Sequence, residues 1–108
     1  MEIHRTLGRG FLEIVYKDCV EHELKLKNIF YEREKKYEIE YKGIILPHYY
    51  QADFVIGNQI ILEIKAQQGI VENNYAQVIN YLAVSKLPLG LLVNFSEKSL
   101  QYKRVILK

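Results

Sequence analysis

Two short stretches, Gln51–Ile56 and Ile60–Lys65, are apolar on both of their faces, and this restricts the fold more than any other feature. Side chains alternate across a strand. Val55 and Ile61 therefore belong to one face, and Phe54, Ile56, Ile60, Leu62 and Ile64 to the other. A sheet with two apolar faces has to be covered on both. The stretches flank Gly57-Asn58-Gln59, whose residue types favour a turn, so they are predicted to form a hairpin.

The covering helices can be found by their spacing. Leu12, Val15, Tyr16, Cys19, Val20 and Leu24 form one helical stripe between Phe11 and Leu26, and Asn28 can end it. A second helix, capped by Asn73 or Asn74, is predicted to run through Ser85 with Tyr75, Val78, Ile79 and Leu82 as its apolar positions. From Phe30 to Ile45 the period drops to two, which reads as one strand or two joined by a bend. Lys42-Gly43 is a turn there, and Pro47 is expected to end the next short piece. Leu89–Phe95 reads as a buried central strand, and a final strand covers Tyr102–Leu107. The order is α-β-β-β-α-β-β. The second helix joins two strands that should be parallel, through a right-handed crossover. A mixed sheet with helices on both faces follows, an α/β fold.

At 108 residues, 49% of them hydrophobic and 26% charged, the chain fits one domain over 1–108 and lies far from the disordered class. No apolar stretch approaches the ~18 residues a membrane span needs. His4, Arg5, Gly8 and Arg9 interrupt the start, where a secretory signal would be apolar. A single Cys19 forbids an internal disulfide and a cysteine-based zinc site. A cytoplasmic protein with no membrane contact is expected. The net charge of +2 identifies no partner.

Three charged residues, Asp53, Glu63 and Lys65, interrupt the two apolar strands. Charge in such a setting is costly unless paired or bound to a cation. Glu63 and Lys65, two apart, share a face. Asp53 joins them only if it lies opposite Glu63, which requires an odd loop such as Gly57-Asn58-Gln59; a two-residue loop would turn it away. With the odd loop, two carboxylates and an ammonium converge. Such hard oxygen ligands favour Mg²⁺ or Mn²⁺ over zinc. The plainer alternative is an ion cluster inside the sheet.

Asp53 followed by Glu63-Ile64-Lys65 resembles the signature of the PD-(D/E)XK nuclease superfamily. The whole chain resembles the small bacterial GxxxxR family, a branch of it. The matching stretches run in order from His4–Glu13, through Tyr16, Glu23-Leu24, Tyr41–Gly43, Ala52-Asp53, Leu62–Ala66, Ala76-Gln77 and Asn80–Leu82, to Leu89–Phe95 and Lys103-Arg104. Gln51-Ala52 stands where the superfamily carries a proline before its Asp, and Arg9 stands where relatives carry another.

The resemblance implies a restriction-endonuclease-like αβββαβ core and a metal-dependent nuclease, with DNA the expected polymer and RNA the second. Asp53, Glu63 and the backbone carbonyl of Ile64 would hold Mg²⁺ or Mn²⁺. Glu13, on the first long helix, would complete the set, although a first-turn Glu is also favoured by the helix dipole. Lys65 would orient or deprotonate the attacking water. Gln77-x-x-x-Tyr81 resembles a motif of RecB-type members, in which the Gln reaches the active site and the Tyr helps place nucleic acid. Lys103 and Arg104 form a basic end that could meet phosphates. A homodimer would suit a small nuclease meeting a duplex. The alternative function is a non-catalytic nucleic-acid- or partner-binding module on the same fold.

Overall fold

The computed structural model describes residues 2–70 and 72–107. In chain order the elements are α1 (Glu2–Leu7), α2 (Glu13–Leu26), β1 (Tyr31–Tyr41), β2 (Ile44–Ile56), β3 (Ile60–Lys65), α3 (Glu72–Ser85), β4 (Leu89–Asn94) and β5 (Gln101–Val105). The strands form one sheet in the order β1-β2-β3-β4-β5. Every neighbouring pair is antiparallel except β3 and β4, which are parallel and joined through α3. This is the expected mixed sheet, with the short α1 added before the first long helix.

Both faces are covered. On one, Tyr16, Val20 and Leu24 of α2 and Ile3 of α1 pack on Phe54, Leu62, Ile64, Val93 and Phe95. On the other, Val78, Tyr81 and Leu82 of α3 pack on Ala52, Val55, Ile61, Leu92 and Val105. Gly90 lets α3 lie close to β4, because a Cβ there would collide with the Val78 side chain.

Local chemistry explains where α2 begins and ends. The Tyr16 ring stacks on Phe95 with centroids 4.4 Å apart. Its hydroxyl donates to the Gly8 carbonyl at 2.7 Å and accepts from the Phe11 N–H at 3.2 Å, which pins the loop before the helix. At the other end Asn28 takes φ 55°. The Ile29 N–H then reaches the Leu24 carbonyl and the Asn28 N–H the Lys25 carbonyl, so the helix closes in a Schellman motif.

Pro47 does not end a strand; β2 runs through it. The β1–β2 register shifts between Glu38, opposite Tyr49, and Glu40, opposite Ile45. Pro47 falls in that irregularity, where its missing N–H costs no ladder bond.

A second irregularity matters more. Tyr31 and Arg33 of β1 lie on the α2 side, Tyr31 against its core and Arg33 bound to Asp18 and Glu21, yet Tyr37 packs on the α3 side. In β2, Ala52 packs on the α3 side and Phe54 on the α2 side, although they are two apart. Strict alternation therefore breaks in both strands at one level. Glu34 sits there with φ 55°, and Asp53 is the β2 residue between the paired Phe54 and Ala52. Distortions of this kind re-aim a side chain beside a functional site.

Candidate active site

The turn between β2 and β3 contains three residues, Gly57-Asn58-Gln59, and the register pairs Ile56 with Ile60, Val55 with Ile61 and Phe54 with Leu62. One step further, Asp53 stands opposite Glu63, as the odd loop requires. There the link between the strands passes from backbone to side chains. The Asp53 N–H donates to Glu63 Oε2 at 2.6 Å, and the Ile64 N–H donates to Asp53 Oδ2 at 2.8 Å. Each carboxylate takes a main-chain donor of the other's strand.

Glu63 is only 2% exposed. Burial, and then the charge of Asp53, push its carboxyl up to about 8; the Asp53 N–H and the charges of Lys65 and Lys17 act against this and do not offset it. The two carboxylates are forced together, and the positive charge near them does not fully compensate the buried Glu63. Lys65, half-buried at the end of β3, is near enough for its charge to act on Glu63. Its backbone is well fixed. The Lys65 carbonyl accepts from the Phe95 N–H at 3.0 Å. Just beyond it, the fully buried Asn94 donates to the Gln67 carbonyl at 2.7 Å and accepts from the Gln67 N–H at 3.1 Å.

The residue that sequence reasoning missed is Lys17 of α2. Its Nζ lies 2.9 Å from Asp53 Oδ1 and 3.3 Å from Glu13 Oε2, with 15% of its side chain exposed. Burial alone would lower its pKa. The hydrogen bond and charge of Asp53, followed by those of Glu13, outweigh burial and raise it. The available signal was its i, i+4 spacing from Glu13, which also describes an ordinary surface pair.

The expected ligand set is thus brought together only in part. Asp53 and Glu63 meet. Glu13 approaches Asp53 with the Lys17 ammonium between them, and its side chain remains 41% exposed. Among the described residues, no three His, Cys, Asp or Glu side chains are grouped closely enough to hold one ion. Ile64 contributes its N–H to Asp53 and its side chain to the α2-side core.

From α3, Gln77 and Tyr81 face the same place. The Tyr81 hydroxyl is raised well above its usual range by burial first and then by the charges of Glu63 and Asp53, while a hydrogen bond from Gln77 opposes this. The ring, however, is 4% exposed and packs edge-on against Tyr50 with centroids 5.4 Å apart. A buried ring offers no face to a base, so stacking by Tyr81 is corrected to core packing beneath the carboxylates. Lys103 and Arg104 are both exposed on β5, opposite Leu92 and Leu91. Leu92 is also the β4 partner of Glu63, so Lys103 shares a row and a face with the site. Arg104, one residue on, points to the other face, and the basic pair is divided by the sheet.

The donor set fits a divalent cation in kind: hard carboxylate oxygens, a Glu63 whose charge is undercompensated, and a side-chain cation already seated between two of the acids.

A family model described as the PD-(D/E)XK nuclease superfamily matches residues 1–105, a span that contains every candidate site residue. The chain belongs to the PD-(D/E)XK nuclease superfamily. Among solved structures, the crystal structure of SSO0001 is similar, with a TM-score of 0.68 at 24% identity over 87% of this chain. That likeness is one of fold, and this chain spans 50% of that protein's length. No curated protein matches the sequence. Superfamily membership accords with the αβββαβ core and with a nuclease-like role. Among the described residues, no helix is long and apolar enough to cross a membrane.

Proposed function

We propose that the protein is a divalent-metal-dependent nuclease that hydrolyses phosphodiester bonds in DNA, and that within the superfamily it stands with the GxxxxR proteins. One observation carries the reading. The Asp53 N–H donates to the Glu63 carboxylate and the Ile64 N–H to the Asp53 carboxylate where β2 and β3 hand over from backbone to side-chain bonds, and Lys65 is two residues beyond Glu63 on the same face. An αβββαβ core that fixes an acidic pair beside a lysine suits phosphodiester hydrolysis.

Asp53 and Glu63 would hold Mg²⁺ or Mn²⁺, with the Ile64 carbonyl and Glu13 completing the set. The ion would supply Lewis-acid polarisation of the phosphate and a more acidic water. The chain's own residues do the rest. Lys65 orients the attacking water or takes its proton, and it meets charge that develops at the phosphate. Tyr81 and Gln77 act as positioning residues, holding the buried side of Glu63. Lys103, in the same row as Glu63, is placed to meet a phosphate along the strand. A two-fold dimer would match two such sites to a duplex.

A second reading, a nucleic-acid-binding module without turnover, is favoured by the Lys17 contact, which keeps the acids from closing on one point. The two are separated by incubating the protein with single-stranded, double-stranded and branched DNA and with RNA, in Mg²⁺, Mn²⁺ or EDTA. Cleavage that needs the metal and is lost in Asp53→Asn and Glu63→Gln is expected. Nucleic-acid binding with no cleavage in either metal would establish the module instead.

A further inference from the structure

We infer that Lys17 is a tethered counterion that competes with the divalent metal for Asp53 and Glu13, so that the site exchanges between a lysine-closed and a metal-loaded form. This rests on the metal-dependent reading above. It goes beyond it by assigning a regulatory part to a residue outside the Asp-Glu-x-Lys signature.

The geometry gives Lys17 the seat a metal would need. Asp53 Oδ2 is committed to the Ile64 N–H, and Glu63 Oε2 to the Asp53 N–H. The Asp53 oxygen not tied to backbone is Oδ1, and the Lys17 ammonium lies on it at 2.9 Å. The same ammonium holds Glu13 at 3.3 Å. A metal bound to Asp53 Oδ1 would stand beside this ammonium, and two cations at that separation repel. Asp53 cannot serve both.

Displacement is mechanically simple. Lys17 carries its charge on a flexible four-carbon stem that can turn to solvent while α2 stays in place. When it leaves, the ammonium no longer separates Glu13 from Asp53, so one side-chain motion frees Oδ1 and lets the third carboxylate approach. The lysine also explains how the buried Glu63, the half-buried Asp53 and a nearby third acid are tolerated before metal arrives, since it neutralises part of their charge. Its cost is a lower apparent metal affinity. A site open only in a fraction of molecules binds more weakly by that fraction.

The test measures metal binding. Free Mn²⁺ is followed by electron paramagnetic resonance during titration of the wild-type chain, Lys17→Met and Lys17→Gln, each shown to be folded by circular dichroism. Both variants are expected to bind Mn²⁺ about tenfold more tightly than wild type, as when the open fraction rises from about a tenth to near one. Wild-type binding with equal or weaker binding in both variants would overturn the role of Lys17 and leave the metal site standing. No Mn²⁺ binding by any of the three would overturn both. A second measurement needs no variant beyond assignment. In wild-type protein labelled with ¹³C at lysine Cε, the Lys17 resonance should move to the position of a solvated lysine as Mg²⁺ saturates the site. A resonance that stays fixed through saturation would mean that Lys17 keeps its contact, against the inference.

Discussion

The two ends of the β2–β3 hairpin are built from the same pair of strands by different means. At the Gly57 end the strands are joined by ladder pairs from Ile56–Ile60 to Phe54–Leu62, and the apolar side chains of Phe54, Val55, Ile61 and Leu62 are buried in the cores beneath α2 and α3. At the Asp53 end the carboxylates of Asp53 and Glu63 take over the N–H groups. The closed end is stabilised by burial, which is non-directional and tolerant. The open end is held by charge-assisted hydrogen bonds, which are directional and leave an unsatisfied group behind when one partner is removed. Placing the two acids at the open end ties them to the backbone where the ladder ends. The same bonds that hold the strands hold the acids in register.

That contrast can be tested from the largest cost to folding to the smallest. Ile61 is fully buried at the closed end, and Ile61→Ala should cost about 2–5 kcal/mol in urea unfolding, leaving metal affinity of the folded fraction unchanged. A loss below about 1 kcal/mol would mean that this end is not packed as described. Asp53→Ala at the open end strands the Ile64 N–H and the Lys17 ammonium and should cost about 1–3 kcal/mol. It should also abolish any rise in Tm with Mg²⁺. Asp53→Asn keeps an acceptor for the Ile64 N–H and should recover part of the stability but none of the metal response.

The third test uses pH. Glu63 is pushed up to about 8 in the fold, while an unfolded Glu titrates near about 4.3. Between those values the folded chain binds a proton that the unfolded chain has released. Stability of the metal-free protein should therefore be greatest on the acid side of this window and fall as pH rises through about 8. Glu63→Gln should flatten the fall, and Mg²⁺ should do the same in wild type by favouring the ionised carboxylate. Urea midpoints at a series of pH values, with and without Mg²⁺, check the sign; a midpoint that climbs across the window without metal would contradict the burial assigned to Glu63. The smallest cost to folding is expected from Lys65→Ala, within about 0.5 kcal/mol. Mg²⁺ affinity should be equal or higher and cleavage should collapse. Cleavage at the wild-type rate would remove Lys65 from the chemistry.

Much of this contrast was legible in the residues. The face assignments of Val55, Ile61, Phe54 and Leu62, the odd loop and the position of Asp53 opposite Glu63 all follow from a period of two. The parallel crossover and the end of α2 at Asn28 follow from helix length and a residue that tolerates φ above zero. The face switch at Glu34 could not be seen, because nothing in a Glu between two charged neighbours marks a left-handed backbone. Pro47 was misjudged because a bulge removes the ladder bond a proline would have broken. Tyr81 stands on the helix face shared with Gln77, and spacing alone does not say how deeply that face is buried. Lys17 was invisible for a simpler reason. Within its helix it is half of a surface pair, and only the approach of β2 brings Asp53 to it.

The strand order in the sheet is also the strand order in the chain. This bears on how the molecule assembles. Asp53 and Glu63 are brought together by closing a three-residue turn, among the least costly loop closures. Tyr81 reaches them when the next element, α3, folds back on the sheet, and Lys17 only when α2 docks from a distant part of the sequence. The barrier to folding should accordingly contain the hairpin and little of α2. In chevron experiments Val55→Ala should chiefly slow folding, and Val20→Ala should chiefly speed unfolding. The acidic pair would then exist on the folding chain before its lysine does, and the docking of α2 would be the event that quenches it.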